Sequence, residues 1–374
     1  MKKILMAALP LLFLFCQDAL CETIPASDGR ITYIGRTMAE NGAVSFDWTG
    51  VYLRVRFQGT SLSFKVSDTN KDYYNVWLDS SMDRTPDKVI AVHGSDTTIV
   101  IFSAEELRGR FGKDRKAARS PHQVILQKRT EGNQGRTTIG SFTTDGVFLK
   151  ADPPKDRAIE FIGDSYTCGY GTEASNKEHF SPETENQNLT YACATARYFG
   201  AEQMVTAHSG MGITRNYNGK NTDDNMVSHY LRTFDTDPDV SWDPKTSEVR
   251  PDITVIYLGT NDFSTQMQPA ERVFVRNYIK LLKEIKDFYG PGHPVLCMAP
   301  KHDPLILGYI SKAVETCGLT DIHLLGLGPS VHNNDGDMGA DGHPAYGGHR
   351  KIAYSLIPYI STVTGWEIDD NGIK

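Results

Sequence analysis

Four short stretches carry residue types suited to nucleophilic chemistry. They are Gly163-Asp164-Ser165, His208-Ser209-Gly210-Met211-Gly212, Gly259-Thr260-Asn261-Asp262 and Asp341-Gly342-His343-Pro344. A serine hydroxyl is a weak nucleophile and needs a general base within hydrogen-bond reach. His343 is the natural base for Ser165, because imidazole titrates near neutral pH. Attack on an acyl carbon develops a tetrahedral oxyanion, which needs donors already in place. The Ser165 N–H, the Gly210 N–H and the Asn261 side-chain amide can supply three, and glycine at 210 lets the backbone come close.

These stretches need a scaffold that brings them to one edge. Each of the first three follows an apolar run that reads as a strand: 158–162, 203–207 and 253–258. Further strands are expected at 294–298 and 322–325. Helices are expected at 190–199, 225–233, 269–289, 305–316 and 346–360, the 269–289 segment having a clear apolar stripe. Strands alternating with helices imply a parallel sheet in a three-layer α/β/α unit. Ligands bind such sheets at the carboxyl ends of the strands, which is where all four stretches fall.

The chain before this unit has a different pattern. Alternating runs such as 51–57 and 62–66, broken by Gly, Asp and Ser turns, predict an all-β, jelly-roll-like sandwich with one helix near 103–111. Ala151-Asp152-Pro153-Pro154 closes it. The expected domains are a signal peptide at 1–22, the β-sandwich at 23–152 and the catalytic unit at 153–374. Trp48, Tyr52, Tyr73, Tyr74 and Trp77 could offer the sandwich a sugar-binding face, or pack its core.

Composition narrows the class. The net charge of −7, with 23% charged and 39% hydrophobic residues, shows no basic excess for nucleic acid or an anionic membrane. Lys2 and Lys3 precede a short apolar run, followed by Ala19-Leu20-Cys21, which reads as an export signal. Secretion or periplasmic export follows; Phe15 disfavours a lipid anchor at Cys16. No membrane insertion is expected. Of six cysteines, Cys168, Cys193, Cys297 and Cys317 lie beyond the leader. None forms a Cys-x-x-Cys pair, so no zinc site, no other metal site and no cofactor is expected, and buried thiols are the simplest reading.

The four blocks, in this order and spacing, resemble those of the SGNH (GDSL-type) hydrolase superfamily over residues 157–363. The run from Ile159 through Ser165 to Thr167-Cys168-Gly169-Tyr170-Gly171, with Asp341-Gly342-His343-Pro344 and a preceding β-sandwich, more narrowly resembles carbohydrate esterase family 2. That resemblance implies removal of acetyl groups from polysaccharides such as xylan and glucomannan. It implies Ser165 as nucleophile, His343 as base, and Gly210 and Asn261 in the oxyanion hole. Many SGNH hydrolases place a triad aspartate three residues before the histidine, where this chain has Ala340. Asp341 is two before, and is either the third catalytic group or a turn residue.

Tyr166, His208, Asp262 and His302 are further candidates for contact with substrate. Each has a plainer reading, as a packing ring, a structural histidine or a loop organiser. Asn333-Asn334-Asp335-Gly336-Asp337 hints at calcium but lacks the EF-hand pattern. The expected function is an exported serine esterase acting on an acetylated glycan through an acyl-enzyme. Alternatives are another SGNH acyl hydrolase, such as a lipase, thioesterase or sialate O-acetylesterase, or a carbohydrate-binding protein without catalysis.

Overall fold

The computed structural model describes residues 21–112, 114, 120–265, 268–300, 303–328, 331 and 334–369. Residues 1–20 of the segment expected to be an export signal, Cys16 among them, lie outside the described residues. Two antiparallel sheets build the N-terminal unit. In one, Met38–Glu40, Ala43–Phe46, Thr137–Thr144, Leu62–Asp68 and Thr97–Phe102 lie in that order, and Glu22–Pro25 also pairs with Thr137–Thr144. In the other the order is Val147–Leu149, Tyr52–Gln58, Pro121–Lys128, Lys71–Leu78 and Lys88–His93, with Thr32–Ile34 beside Tyr52–Gln58. Alternation works as the sequence predicts on the inner faces. Phe46, Phe64, Val66 and Phe142 of the first sheet meet Val55, Phe57, Val76 and Leu126 of the second in one core. Burying each such side chain contributes ~1.5–3 kcal/mol.

The outer face of the second sheet departs from simple alternation. Tyr52, Arg54, Tyr73, Asn75, Trp77, Ile125 and Gln127 should face water, yet all are buried. This face packs on the C-terminal unit. Arg54 Nη2 donates to Glu202 Oε1 at 2.7 Å, Asn75 Nδ2 to Asn186 Oδ1 at 2.9 Å, and Gln127 Nε2 to Gln187 Oε1 at 3.0 Å. Buried polar groups need such partners, so the contact is specific rather than merely apolar. The five aromatics that could have formed a sugar-binding face are all buried too, with Tyr73 the most exposed at 8%.

The C-terminal unit holds a five-stranded parallel sheet. Its order is Glu202–Ala207, Ala158–Gly163, Ile253–Tyr257, Val295–Ala299, Ile322–Gly326. The first four strands are buried along their whole length, as a sheet covered on both faces requires. Tyr191–Tyr198 and Tyr346–Thr364 pack on one face against Phe161, Val255 and Met298. Glu271–Tyr289 and Pro304–Thr316 cover the other, against Ile162, Ile256 and Cys297. Cys168, Cys193, Cys297 and Cys317 are free and buried.

One predicted element fails. The helix expected at 225–233 is a single turn, Met226–His229, followed by the hairpin Arg232–Phe234 and Asp237–Ser241. Tertiary bonds from the β unit override the local preference. Arg36 Nη1 donates to Arg232 O at 2.9 Å, and the Asp47 carboxylate accepts from Asp235 N at 2.8 Å and Thr236 N at 3.2 Å. Arg36 also reaches Glu160, on the strand that leads to Ser165, at 3.4 Å. Among the described residues no helix is long and apolar enough to cross a membrane.

Candidate active site

The strand Ala158–Gly163 ends at Asp164, which caps the short helix Ser165–Cys168 by accepting from Tyr166 N at 3.2 Å. Ser165 therefore stands at a helix start, 8% exposed, where backbone N–H groups have no partner within the helix. The Ser165 N–H and the N–H of Gly210 donate to no described residue. Gly210 has φ of +81°, a conformation that favours glycine.

Ser165 Oγ lies 2.8 Å from His343 Nε2. The histidine is delivered by a tight turn in which Asp341 (φ 50°) and Gly342 (φ 78°) are both left-handed. His343 N donates to Ala340 O at 2.9 Å, and His343 O accepts from Gly339 N at 2.7 Å. This turn sits directly on the loop that follows Ser165. Ala340 N donates to Gly171 O at 3.1 Å, and a Cβ on Gly339 would come within 2.3 Å of the same carbonyl. Burial lowers the His343 pKa below its ordinary value of 6.5, and the carbonyls of Ala340 and Asp341 and the Asp341 charge pull it partly back. His343 Nδ1 is buried and meets no full hydrogen-bond geometry with a described residue. Among the described residues no carboxylate hydrogen-bonds the ring, whose Nε2 meets Ser165 Oγ.

Asp341 is otherwise engaged. Its Oδ1 accepts from His179 Nδ1 at 2.7 Å, and its Oδ2 accepts from Phe180 N at 3.0 Å and Tyr170 OH at 3.4 Å. The Phe180 N–H foremost, then His179, hold its carboxyl below the usual carboxylate range. The effect is to fasten the 179–180 segment over the histidine turn. Phe180 stacks on Tyr170 at 4.0 Å between ring centroids, and Tyr170 lies 4.3 Å from the His343 ring. Tyr166 borders the imidazole from another side at 5.5 Å.

Asn261 projects from the loop after Ile253–Tyr257. Its Nδ2 donates to Met211 O at 2.9 Å and, at a longer 3.2 Å, to Asp164 Oδ2. Burial, with the Asp262 charge adding to it, raises the Asp164 pKa to about 7. Asp262 is fully buried, and its carboxylate accepts from the N–H groups of Ile213, Thr214 and Arg215 at 2.8, 2.7 and 3.1 Å. Those bonds shape the loop that follows Gly210 and turn the carboxylate away from the surface. His302 lies outside the described residues.

His208 Nδ1 donates to Asp235 Oδ2 at 2.7 Å, and His229 Nδ1 to Asp235 Oδ1 at 2.8 Å. Burial works against the His208 charge, but Asp235, helped by Glu131 and Asp224, carries the pKa up to about 9. The three side chains are close enough to hold a metal ion. His229 Nε2, the ring nitrogen turned away from Asp235, lies 2.8 Å from Arg232 Nη1 and 2.9 Å from Asp224 Oδ1. Asp337, in the loop that hinted at calcium, pairs with Lys351 Nζ at 2.5 Å.

Sequence reading missed Asp47, Glu131, Asp235, His179 and Phe180. They come from loops with no motif, and only the packing of one unit on the other brings Asp47 and Glu131 to this edge.

Fold and site together define an α/β hydrolase of the SGNH class with an attached β unit. The chain belongs to the GDSL-like Lipase/Acylhydrolase family, which residues 161–351 match, and within it to carbohydrate esterase family 2, whose N-terminal domain matches residues 33–153. It is 29% identical over 350 residues to an acetylxylan esterase / glucomannan deacetylase of Cellvibrio japonicus (strain Ueda107), covering 88% of this chain and 90% of that protein. It is 30% identical over 326 residues to the cellulase/esterase CelE of Acetivibrio thermocellus, covering 85% of this chain but only 38% of CelE. Among solved structures, a family two carbohydrate esterase from Clostridium thermocellum in complex with cellohexaose superposes with a TM-score of 0.77 at 28% identity, over 90% of this chain and 100% of that one.

Proposed function

We propose that this protein is an exported acetylesterase that removes O-acetyl groups from a polysaccharide of the xylan or glucomannan type. The observation that carries the reading is the 2.8 Å contact of Ser165 Oγ with His343 Nε2, with the Ser165 and Gly210 N–H groups left without an acceptor among the described residues. With the ring proton on Nδ1, Nε2 takes the hydroxyl proton as Oγ attacks the acetyl carbon. The oxyanion forms against the N–H groups of Ser165 and Gly210. Asn261 adds a third donor by exchanging its longer bond, the one to Asp164. The imidazolium then returns the proton to the sugar oxygen, leaving an acetyl group on Ser165, and water repeats the cycle.

In this reading His343 works as a Ser-His dyad oriented by backbone carbonyls, and Asp341 secures the turn. The leader at 1–22 serves export, and 23–152 and 153–374 are the two working units. The family membership, and the acetylxylan esterase / glucomannan deacetylase among its relatives, support acetylated glycan as the substrate class. The test is release of acetate from a panel of acetylated xylans and glucomannans, with Ser165→Ala as control. Turnover of long-chain aryl esters in preference to acetate would overturn the acetyl reading.

A further inference from the structure

The β unit places one carboxylate at the rear of the oxyanion hole. Glu131 lies just past the end of Pro121–Lys128 and is 1% exposed. Its Oε2 accepts from Ser209 N, the residue before Gly210, at 2.6 Å. The same oxygen accepts from Cys168 Sγ, at the end of the nucleophile helix, at 3.5 Å. One carboxylate oxygen therefore touches both segments whose N–H groups face the oxyanion.

Its own position is fixed from the β unit. Lys128 Nζ donates to Glu131 O at 3.1 Å and to Asp72 Oδ1 at 2.6 Å. Glu131 N donates to Glu185 Oε2 at 3.3 Å. The next residue, Gly132, packs so tightly on Asp235 that a Cβ there would fall 2.5 Å from Asp235 Oδ2, the oxygen that holds His208. Asp47 of the β unit grips the backbone of Asp235 from behind. The three-residue segment His208-Ser209-Gly210 is thus held through the β unit at two points.

We propose that Glu131 is a positioning residue for ester hydrolysis, and that the β unit completes the active site by fixing the oxyanion donors rather than by binding sugar. The relevant motion is small. Losing the Ser209 bond frees the Gly210 N–H to swing away from the oxygen it must meet, and a misplacement of that order costs ~10²-fold in rate. Substrate binding in the ground state makes little use of this donor, so the loss falls on kcat.

This inference rests on Ser165 acting as the esterase nucleophile. Three variants of the full chain test it, with kcat and KM on an aryl acetate and thermal melting measured for each. Glu131→Leu removes the acceptor and should lower kcat ~30- to 100-fold with KM changed less than about twofold. Glu131→Gln keeps an amide oxygen for Ser209 N–H and should restore most of kcat. Gly132→Ala leaves the carboxylate in place but presses on Asp235, and should lower kcat ~5-fold or more with the same KM pattern. It decides the matter if Glu131→Leu does not fold. A folded Glu131→Leu protein with kcat within about threefold of the parent overturns the inference, as does Glu131→Gln losing as much as Glu131→Leu. If Glu131→Leu does not fold, unchanged kcat in Gly132→Ala overturns it. A parent enzyme with no turnover would instead sink the esterase reading itself.

Discussion

Asp341 Oδ1 accepts a hydrogen bond from His179 Nδ1 at 2.7 Å, although Asp341 is only two residues from the imidazole of His343. The left-handed backbone at 341 and 342 turns the carboxylate outward, toward an exposed histidine and the Phe180 N–H. No carboxylate among the described residues bonds the His343 ring. Asp341→Asn separates this arrangement from a triad. Asparagine tolerates the left-handed turn and still accepts from Phe180 N. We expect kcat to fall less than about tenfold, whereas removing the charge of a true triad aspartate costs ~10⁴-fold. Steady-state kinetics on an aryl acetate reads the difference.

The pH profile follows from His343. In the proposed mechanism its neutral form is the base, and burial lowers its pKa below 6.5. The acid limb of kcat/KM should therefore lie below pH 6.5, with activity full at neutral pH and lost as the ring protonates. The Asp341 charge raises this pKa, so Asp341→Asn should move the limb further toward acid. A limb above 6.5 in the parent, or a shift toward higher pH in the variant, would contradict the geometry.

Asn261 is bonded to Met211 O and Asp164, and in the proposed mechanism it reaches the oxyanion only in the transition state. Asn261→Ala should lower kcat by ~10²–10³-fold with little change in KM, the pattern for a lost oxyanion donor. An equal rise in KM at constant kcat would make Asn261 a ground-state contact.

His208 and Asp235 form a charged pair whose contribution depends on pH. The folded pKa of His208, about 9, is raised above its ordinary 6.5. The stabilisation is therefore fully present below pH 6.5 and is lost as pH rises through about 9. Asp235→Asn should destabilise the protein more at pH 6 than at pH 10, as denaturant melts at the two values will show. Equal losses at both would mean that His208 is neutral.

The parallel strands, and with them the placement of Ser165, Gly210 and Asn261 beyond their ends, are legible in the sequence because a buried parallel strand is a continuous apolar run with a sharp end. The inner faces of the sandwich are legible for the same reason: Leu62, Phe64 and Val66 alternate with polar neighbours. What alternation cannot convey is the second buried face. Arg54, Asn75 and Gln127 look like solvent-facing residues until the C-terminal unit covers them. The hairpin after His229 was equally hidden, since it is held by Arg36 and Asp47 from nearly two hundred residues away. Asp341 misleads for a local reason. Sequence distance from His343 is short, but two left-handed residues reverse the direction of its side chain.

In the proposed mechanism Ser165, activated by His343 alone, carries the acetyl group. Rapid quench of the protein with an aryl acetate, followed by intact and peptide mass measurement, tests it directly. One acetyl group per chain is expected on the peptide containing Ser165, absent from Ser165→Ala and formed very slowly in His343→Ala. Turnover by the parent with no acetylated Ser165 peptide, or full activity in Ser165→Ala, would contradict it.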